Sequence, residues 1–262
     1  MPTTQLIVRD VERDEMADCL ALYSAVMGLR PDDGGINVRL LTALRANGGL
    51  VVGAFADDLM VGFAYSFLGR DEAGWEYQYS QLAVVEADWQ GKGVGRRLKQ
   101  GQRERCLANG VTRMRWAFDP LKIRNGHFNL SVLGADLIAL VPDMYGDRGF
   151  GIDAGTHHTD RCIVEWNLHD AHERGPIGLR DLPSALDVGS LLYRAKDVLL
   201  PVPVDWGGYR TEHSERAAAR LIADYRTAFT RVLAEGWVGV RCESGGDGVA
   251  VYQFQRPEAA AA

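Results

Sequence analysis

Cysteine is scarce in this chain. The four cysteines among 262 residues, Cys19, Cys106, Cys162 and Cys242, lie far apart with no CxxC pair. That spacing argues against a disulfide framework or a zinc ribbon and fits buried thiols in a reducing compartment, so a cytoplasmic location is expected. Long apolar runs are also missing. The nearest, 130–141, is broken by Asp136 and falls short of the roughly 18 residues that suggest a membrane span. The opening MPTTQLIVRDVERDE has neither the charged start nor the apolar stretch of a signal peptide. Positive charge is not in excess either: the net charge of −6 argues against nucleic acid as the main partner. Neither His157, His158 and Asp160 nor His169 and His172 follow a metal-ligand spacing, so no metal is expected. No repeat of fixed period occurs, and the alanines at 259–262 are the only low-complexity stretch.

What the chain does have is enough apolar content, 47%, to bury a sizeable core. Its periodicities predict a short strand at 6–8 and a helix over 16–27 ending at Gly28. A loop over 31–35 and a second helix closed by Gly48-Gly49 follow. Strands are expected at 50–55, 59–67 and 75–85, then a helix over 94–109, a strand at 113–118 and a short helix over 123–133 stopped by Gly134. Strands at 137–141 and 162–168 flank a loop rich in Gly and Asp. Beyond a linker after His169, a strand at 198–204, a long helix capped by Ser214 and a hairpin at 238–254 are expected.

The most informative segment is 81–98, QLAVVEADWQGKGVGRRL. A buried-strand pattern meets the turn Gln90, Gly91, Lys92, Gly93, Val94, Gly95, and a basic helix start follows with Arg96, Arg97 and Lys99. Main-chain amides at a helix N-terminus, approachable because glycines stand there, suit a pyrophosphate. A dinucleotide fingerprint fails because Arg96 replaces its third glycine, and a Walker A loop fails because Gly93 follows Lys92. From Lys92 to Arg115 eight basic residues face one acid, Glu104, a local +7 that suits further phosphate.

The pattern Gln90-x-x-Gly93-x-Gly95, with this strand and helix around it, resembles the coenzyme A loop of the GCN5-related N-acetyltransferase (GNAT) superfamily. The element order β-α-α-β-β-β-α-β-α-β-β is similar over 6–168. The resemblance implies an α/β GNAT fold: a mixed, mostly antiparallel sheet flanked by helices and splayed between its fourth and fifth strands. A catalytic domain at 1–170 and a small α+β C-terminal extension at 171–262 are expected. The extension would cover a flank of the core, form a homodimer contact or close the acceptor pocket. A second signature, Trp116-Ala-Phe118-Asp119-Pro120-Leu121 followed by Arg124-Asn125 and His127-Phe-Asn129-Leu130, resembles a bacterial subgroup of predicted acetyltransferases. Asp160-Arg161 and Trp166 match its later element.

The resemblance implies an acyl-CoA-dependent N-acyltransferase that uses acetyl-CoA or succinyl-CoA and a small-molecule amine. Coenzyme contacts fall on Gln90, Gly91, Lys92, Gly93, Val94, Gly95 and Arg96. The strand Leu82, Ala83, Val84 would turn amides toward the thioester oxygen. Asn125 is either a coenzyme contact or a helix cap, and Asp119 before Pro120 organises a turn. The superfamily's usual acid, a tyrosine four residues before the helix-ending glycine, is replaced by Leu130. A thiol pKa of about 8.5 against about 10 for tyrosine lets the thiolate leave unaided. Tyr145 is the substitute acid or a loop-packing aromatic; Glu76 and His127 are candidate bases. A non-catalytic acyl-CoA-binding protein is the alternative. A nicotinamide-dependent oxidoreductase is a further one, disfavoured by Arg96.

Overall fold

The computed structural model describes residues 5–29, 35–146, 158–170, 174–175, 177, 188–246 and 248–257. The loop residues 31–34, the Gly- and Asp-rich segment with His157, most of the linker with His172 and the terminal alanines lie outside them. The chain forms two compact units. Among the described residues the first runs to Trp116 and includes Asn167–His169, and the second takes the remainder.

In the first unit β1 (Leu6–Asp10) is followed by α1 (Met16–Met27) and α2 (Val38–Ala46). The strands β2 (Leu50–Ala56), β3 (Leu59–Arg70) and β4 (Glu76–Val85) come next, then α3 (Val94–Ala108) and β5 (Arg113–Phe118), which leads into the second unit. β1 to β4 pair antiparallel in sequence order, while β5 joins β4 in parallel. The helices start and stop where local chemistry directs. Gly28 ends α1 with φ 63°, and the Asn37 side chain accepts from Leu40 N–H at 3.0 Å to open α2.

Apolar side chains on alternate strand positions give the sheet two buried faces. Met16, Cys19, Tyr23 and Leu41 of α1 and α2 pack with Phe55, Met60 and Phe63 on one. Val94 and Leu98 of α3 pack with Val52, Ala54, Val61 and Ala64 on the other. Gly62 permits this second contact, because a Cβ there would lie 3.0–3.3 Å from Val84 O, Leu98 and Val94.

The second unit contains α4 (Ile123–Gly126), which passes directly into a π-helical segment His127–Val132, then β6 (Asp136–Val141) and β7 (Arg161–Asn167). It continues through β8 (Leu192–Tyr193), β9 (Asp197–Pro203), α5 (Trp206–Glu212), α6 (Glu215–Ala234), β10 (Val238–Gly246) and β11 (Val249–Gln255). Its strands run in the order β7-β6-β10-β11-β9-β8, so the C-terminal hairpin extends the β6–β7 pair through Gly239↔Leu137. Ser214 caps α6 by accepting from Ala217 N–H. The helix buries Leu221, Ile222, Tyr225, Ala228, Phe229 and Val232 at helical spacing.

Three elements differ from the sequence expectation. The single helix over 123–133 is a short α-turn continued as a π-helix, a form common at functional sites. The elements β8 and α5 have no clear periodic signal. α5 is held by surface aromatics instead: Tyr209 stacks on Trp206 at 5.7 Å and on His213 at 3.9 Å.

Candidate functional site

The site begins where β4 and β5 part. Their parallel pairing consists of Gln78↔Met114 and Tyr79↔Arg115. Beyond Tyr79 the edge of β4 turned away from β3 carries no strand partner among the described residues. At the same point β4 carries one extra residue against β3. Tyr65 pairs with Leu82 and Ser66 with Ser80, which leaves Gln81 as a bulge. A bulge bends its strand and re-aims the backbone groups after it. Leu82, Ala83 and Val84 therefore lie on a strand paired with β3, with one open edge among the described residues.

The chain then makes a 3-10 turn at Ala87–Trp89 and enters the glycine loop. Gly91 (φ 72°) and Gly93 (φ 81°) adopt the left-handed region, which a side chain would strain. A Cβ at either position would meet nothing within 4 Å, so the space above both is open. Gly93 is the N-cap of α3, and the first bond of the helix is donated by Arg97 N–H to Gly93 O at 3.1 Å. The amides of Val94 and Gly95 thus precede the hydrogen-bond ladder, at the positive end of the helix dipole. The Gln90 side chain braces the turn, its Nε2 donating to Val85 O at 3.1 Å. Lys92 stands beside the loop with Nζ 5.3 Å from the Trp89 ring centroid. Two left-handed glycines, open space and helix-start amides form a cradle that fits a diphosphate.

Most of the surrounding positive charge has structural partners. Arg97 donates to Leu6 O at 3.0 Å and Arg103 to Leu168 O at 2.7 Å. Arg105 pairs with Asp10, and Arg115 with Asp71 at 3.1 Å. Lys99 is turned inward and is only 4% exposed. Its Nζ donates to Ser80 Oγ at 2.9 Å and lies 3.8 Å from the Trp116 ring centroid. The expectation that Lys99 adds to a phosphate-facing surface is thereby corrected. Burial lowers its pKa to about 7. The α3 face could have revealed this, since Lys99 follows Leu98 on the stripe that also buries Val94, Gln102 and Cys106.

The expected catalytic residues divide between the units. In the first, Glu76 opens β4 and forms an exposed ion pair with Arg70 at 2.9 Å. It also borders a cleft of about 470 Å³ lined in part by Arg45, Gly49, Gln78 and Asn109. In the second, Asn125 lies inside α4 rather than at its cap, which is Lys122, and is exposed. His127 is exposed, with Nδ1 3.0 Å from Cys242 O, which leaves Nε2 as its outward nitrogen. Tyr145 is 48% exposed, and the Arg161 guanidinium lies 5.0 Å from its ring. Asp119 organises the turn as expected, accepting from Leu121 N–H at 2.9 Å. Leu130 is fully buried. All four cysteines are free and buried. Among the described residues, no group of three or more His, Cys, Asp or Glu side chains could hold a metal ion, and no helix is long and apolar enough to cross a membrane.

No known family profile and no curated protein matches the sequence. Solved structures do resemble the fold. The protein yncA of Salmonella typhimurium, solved with its cofactor acetyl-CoA, superposes with a TM-score of 0.52 at 16% identity, over 63% of this chain and 95% of its own. The ribosomal-protein-alanine N-acetyltransferase of Brucella melitensis gives 0.51 at 16% identity, over 62% and 99%. The acetyltransferase of GNAT family from Streptococcus pneumoniae gives 0.50 at 14%, over 62% and 99%. With its mixed sheet, its parallel β4–β5 pair and flanking helices, this chain has the fold of the GCN5-related N-acetyltransferases.

Proposed function

We propose that the chain is an acyl-CoA-dependent N-acyltransferase that passes an acetyl or succinyl group directly to the amine of a small molecule, an amino acid among the candidates. The observation that carries this reading is the cradle at Gly91–Gly95, set where β4 ends beside an unpaired strand edge. Residues 1–170 serve as the acyltransferase body and 171–262 as its extension, and the protein acts in the cytoplasm without a metal.

In this reading the amides of Gly91 to Arg96 hold the coenzyme's pyrophosphate, with Gln90 bracing the turn and Lys92 beside it. Amides along Leu82–Val84 donate to the thioester oxygen as charge develops there. Asn125 contacts the coenzyme. Glu76 or His127 takes the proton that the attacking amine gives up, directly or through water. The amine nitrogen bonds to the acyl carbon, the carbon–sulfur bond breaks, and the departing thiolate receives a proton from Tyr145 or from solvent. The outward Nε2 of His127 and the half-exposed Tyr145 support these roles.

Burial of Leu130 at the position of the usual acid favours the second reading, a protein that binds acyl-CoA without turnover. Free-thiol release from acetyl-CoA and succinyl-CoA against a panel of amines separates the two. Release dependent on an amine supports the enzyme; coenzyme binding with no release on any amine supports the second reading. Gly93→Val should raise the coenzyme KM steeply by filling the open space, and an unchanged KM would count against the loop.

A further inference from the structure

Lys99 occupies the point where β4 and β5 diverge. The last rung between the strands is Tyr79↔Arg115. Ser80 and Trp116 are the next residues along each strand, and they are the two that the Lys99 amine touches, at 2.9 Å and 3.8 Å. Ser80 Oγ in turn donates to Gln102 Oε1 at 3.0 Å. Lys99, Ser80 and Gln102 are all at least nine-tenths buried.

This cluster has too many donors. An ammonium offers three N–H groups, the Gln102 amide two and Ser80 one, against the acceptors Ser80 Oγ and Gln102 Oε1. Gln102 Nε2 is buried with no hydrogen-bond partner. Among the described residues no carboxylate forms an ion pair with Lys99, and burial lowers its pKa. The ammonium form of Lys99, which burial disfavours, and the Gln102 amide both call for an acceptor to join them. The chemistry that completes the cluster is an anion with two acceptor oxygens, a carboxylate.

Its source follows from the open edge of β4, on the reading that the glycine loop holds coenzyme A. Ser80 lies two to four residues, roughly 7–13 Å, before the Leu82–Val84 amides assigned to the thioester oxygen, so an acyl chain that continues past the thioester along this edge runs toward the fork. A thioester anchored at Gly91–Gly95 and laid along this edge brings its acyl end to the fork. We propose that Lys99, Ser80 and Gln102 select acyl-CoAs whose acyl chain ends in a carboxylate, such as succinyl-CoA, over acetyl-CoA.

The test is calorimetric titration of the full-length protein, without any amine, using CoA, acetyl-CoA, succinyl-CoA and free succinate. Succinyl-CoA should bind at least about tenfold more tightly than acetyl-CoA, the scale of a hydrogen bond to a charged group. Because no amine is present, the carboxylate can come only from the acyl chain; binding of free succinate as tight as that of succinyl-CoA would overturn the proposal. In Lys99→Met, similar in shape and able to pack in the core, the ratio should fall toward one. Gln102→Met, which keeps the amine, should lower it by a smaller factor and tests the cluster if the first variant does not fold. Equal affinities in the native protein, or a ratio unchanged in the variants, would overturn the proposal while leaving the coenzyme reading intact. Failure of every CoA species to bind the folded protein would overturn both.

Discussion

Ser131 and Cys242 exchange two hydrogen bonds. The Ser131 hydroxyl donates to Cys242 O at 3.2 Å and accepts from Cys242 N–H at 3.2 Å. His127 Nδ1 reaches the same carbonyl, and Tyr252 O–H donates to Pro120 O at 2.7 Å. The C-terminal hairpin therefore holds the segment 120–131 from several points. Ser131→Ala should destabilise the protein by about 1–3 kcal/mol, because the buried Cys242 N–H loses its acceptor. Denaturant unfolding measures this, and an unchanged midpoint would show that the contact contributes nothing.

The Lys99 amine gives stability an unusual slope on the alkaline side. Its pKa is lowered from the ordinary 10.5 to about 7 by burial. Between these values the unfolded chain binds more protons than the folded one, so stability should rise with pH from about 7 to 10.5. The slope can reach at most about 1.4 kcal/mol per pH unit. Lys99→Met should flatten the curve and raise stability near pH 7. A native profile that falls across this interval would contradict the assignment.

On the acid side the pair Arg9–Glu15 acts in the opposite sense. The hydrogen bond from Arg9, at 2.6 Å, lowers the Glu15 pKa from 4.5 to about 2. Its contribution is present above pH 4.5 and is lost as pH falls toward 2. Both side chains are partly exposed, so screening by solvent and salt keeps the effect small. Glu15→Gln should remove that part of the acid slope, as thermal melts between pH 5 and 2 would show.

Leu130→Tyr would not supply the acid that the resemblance places at this position. Leu130 is fully buried, and overpacking a core costs about 1–3 kcal/mol. The variant should melt several degrees lower without a gain in kcat. A gain in kcat at an unchanged melting temperature would show that this position opens onto the reacting atoms.

The chain order and the glycine loop were legible because they rest on local signals. Apolar spacing marks α1 and α6; Gly28, Gly110 and Ser214 mark ends; the apolar runs of β2 and β3 around the turn at Asp57-Asp58 mark strands. A tally of charges does not give the direction of a charged side chain. Lys99 counts as a phosphate-facing cation in a tally of charges, yet its place beside Leu98 on the α3 stripe turns it into the core. The π-helix at His127–Val132 was equally hidden. Its His127 and Ser131 bond to Cys242 of β10, more than a hundred positions later, a contact that no local signal announces.

The proposed function rests on main-chain amides at the start of α3 holding the diphosphate of coenzyme A. Amide NMR of the isotope-labelled protein during titration with CoA tests it most directly. The signals of Gly91, Lys92, Gly93, Val94, Gly95 and Arg96 should shift and saturate together, and Gly93→Val should abolish the response in a protein that remains folded. Saturable binding that leaves these six amides unmoved, or no binding by the folded protein, would rule out this role for the loop.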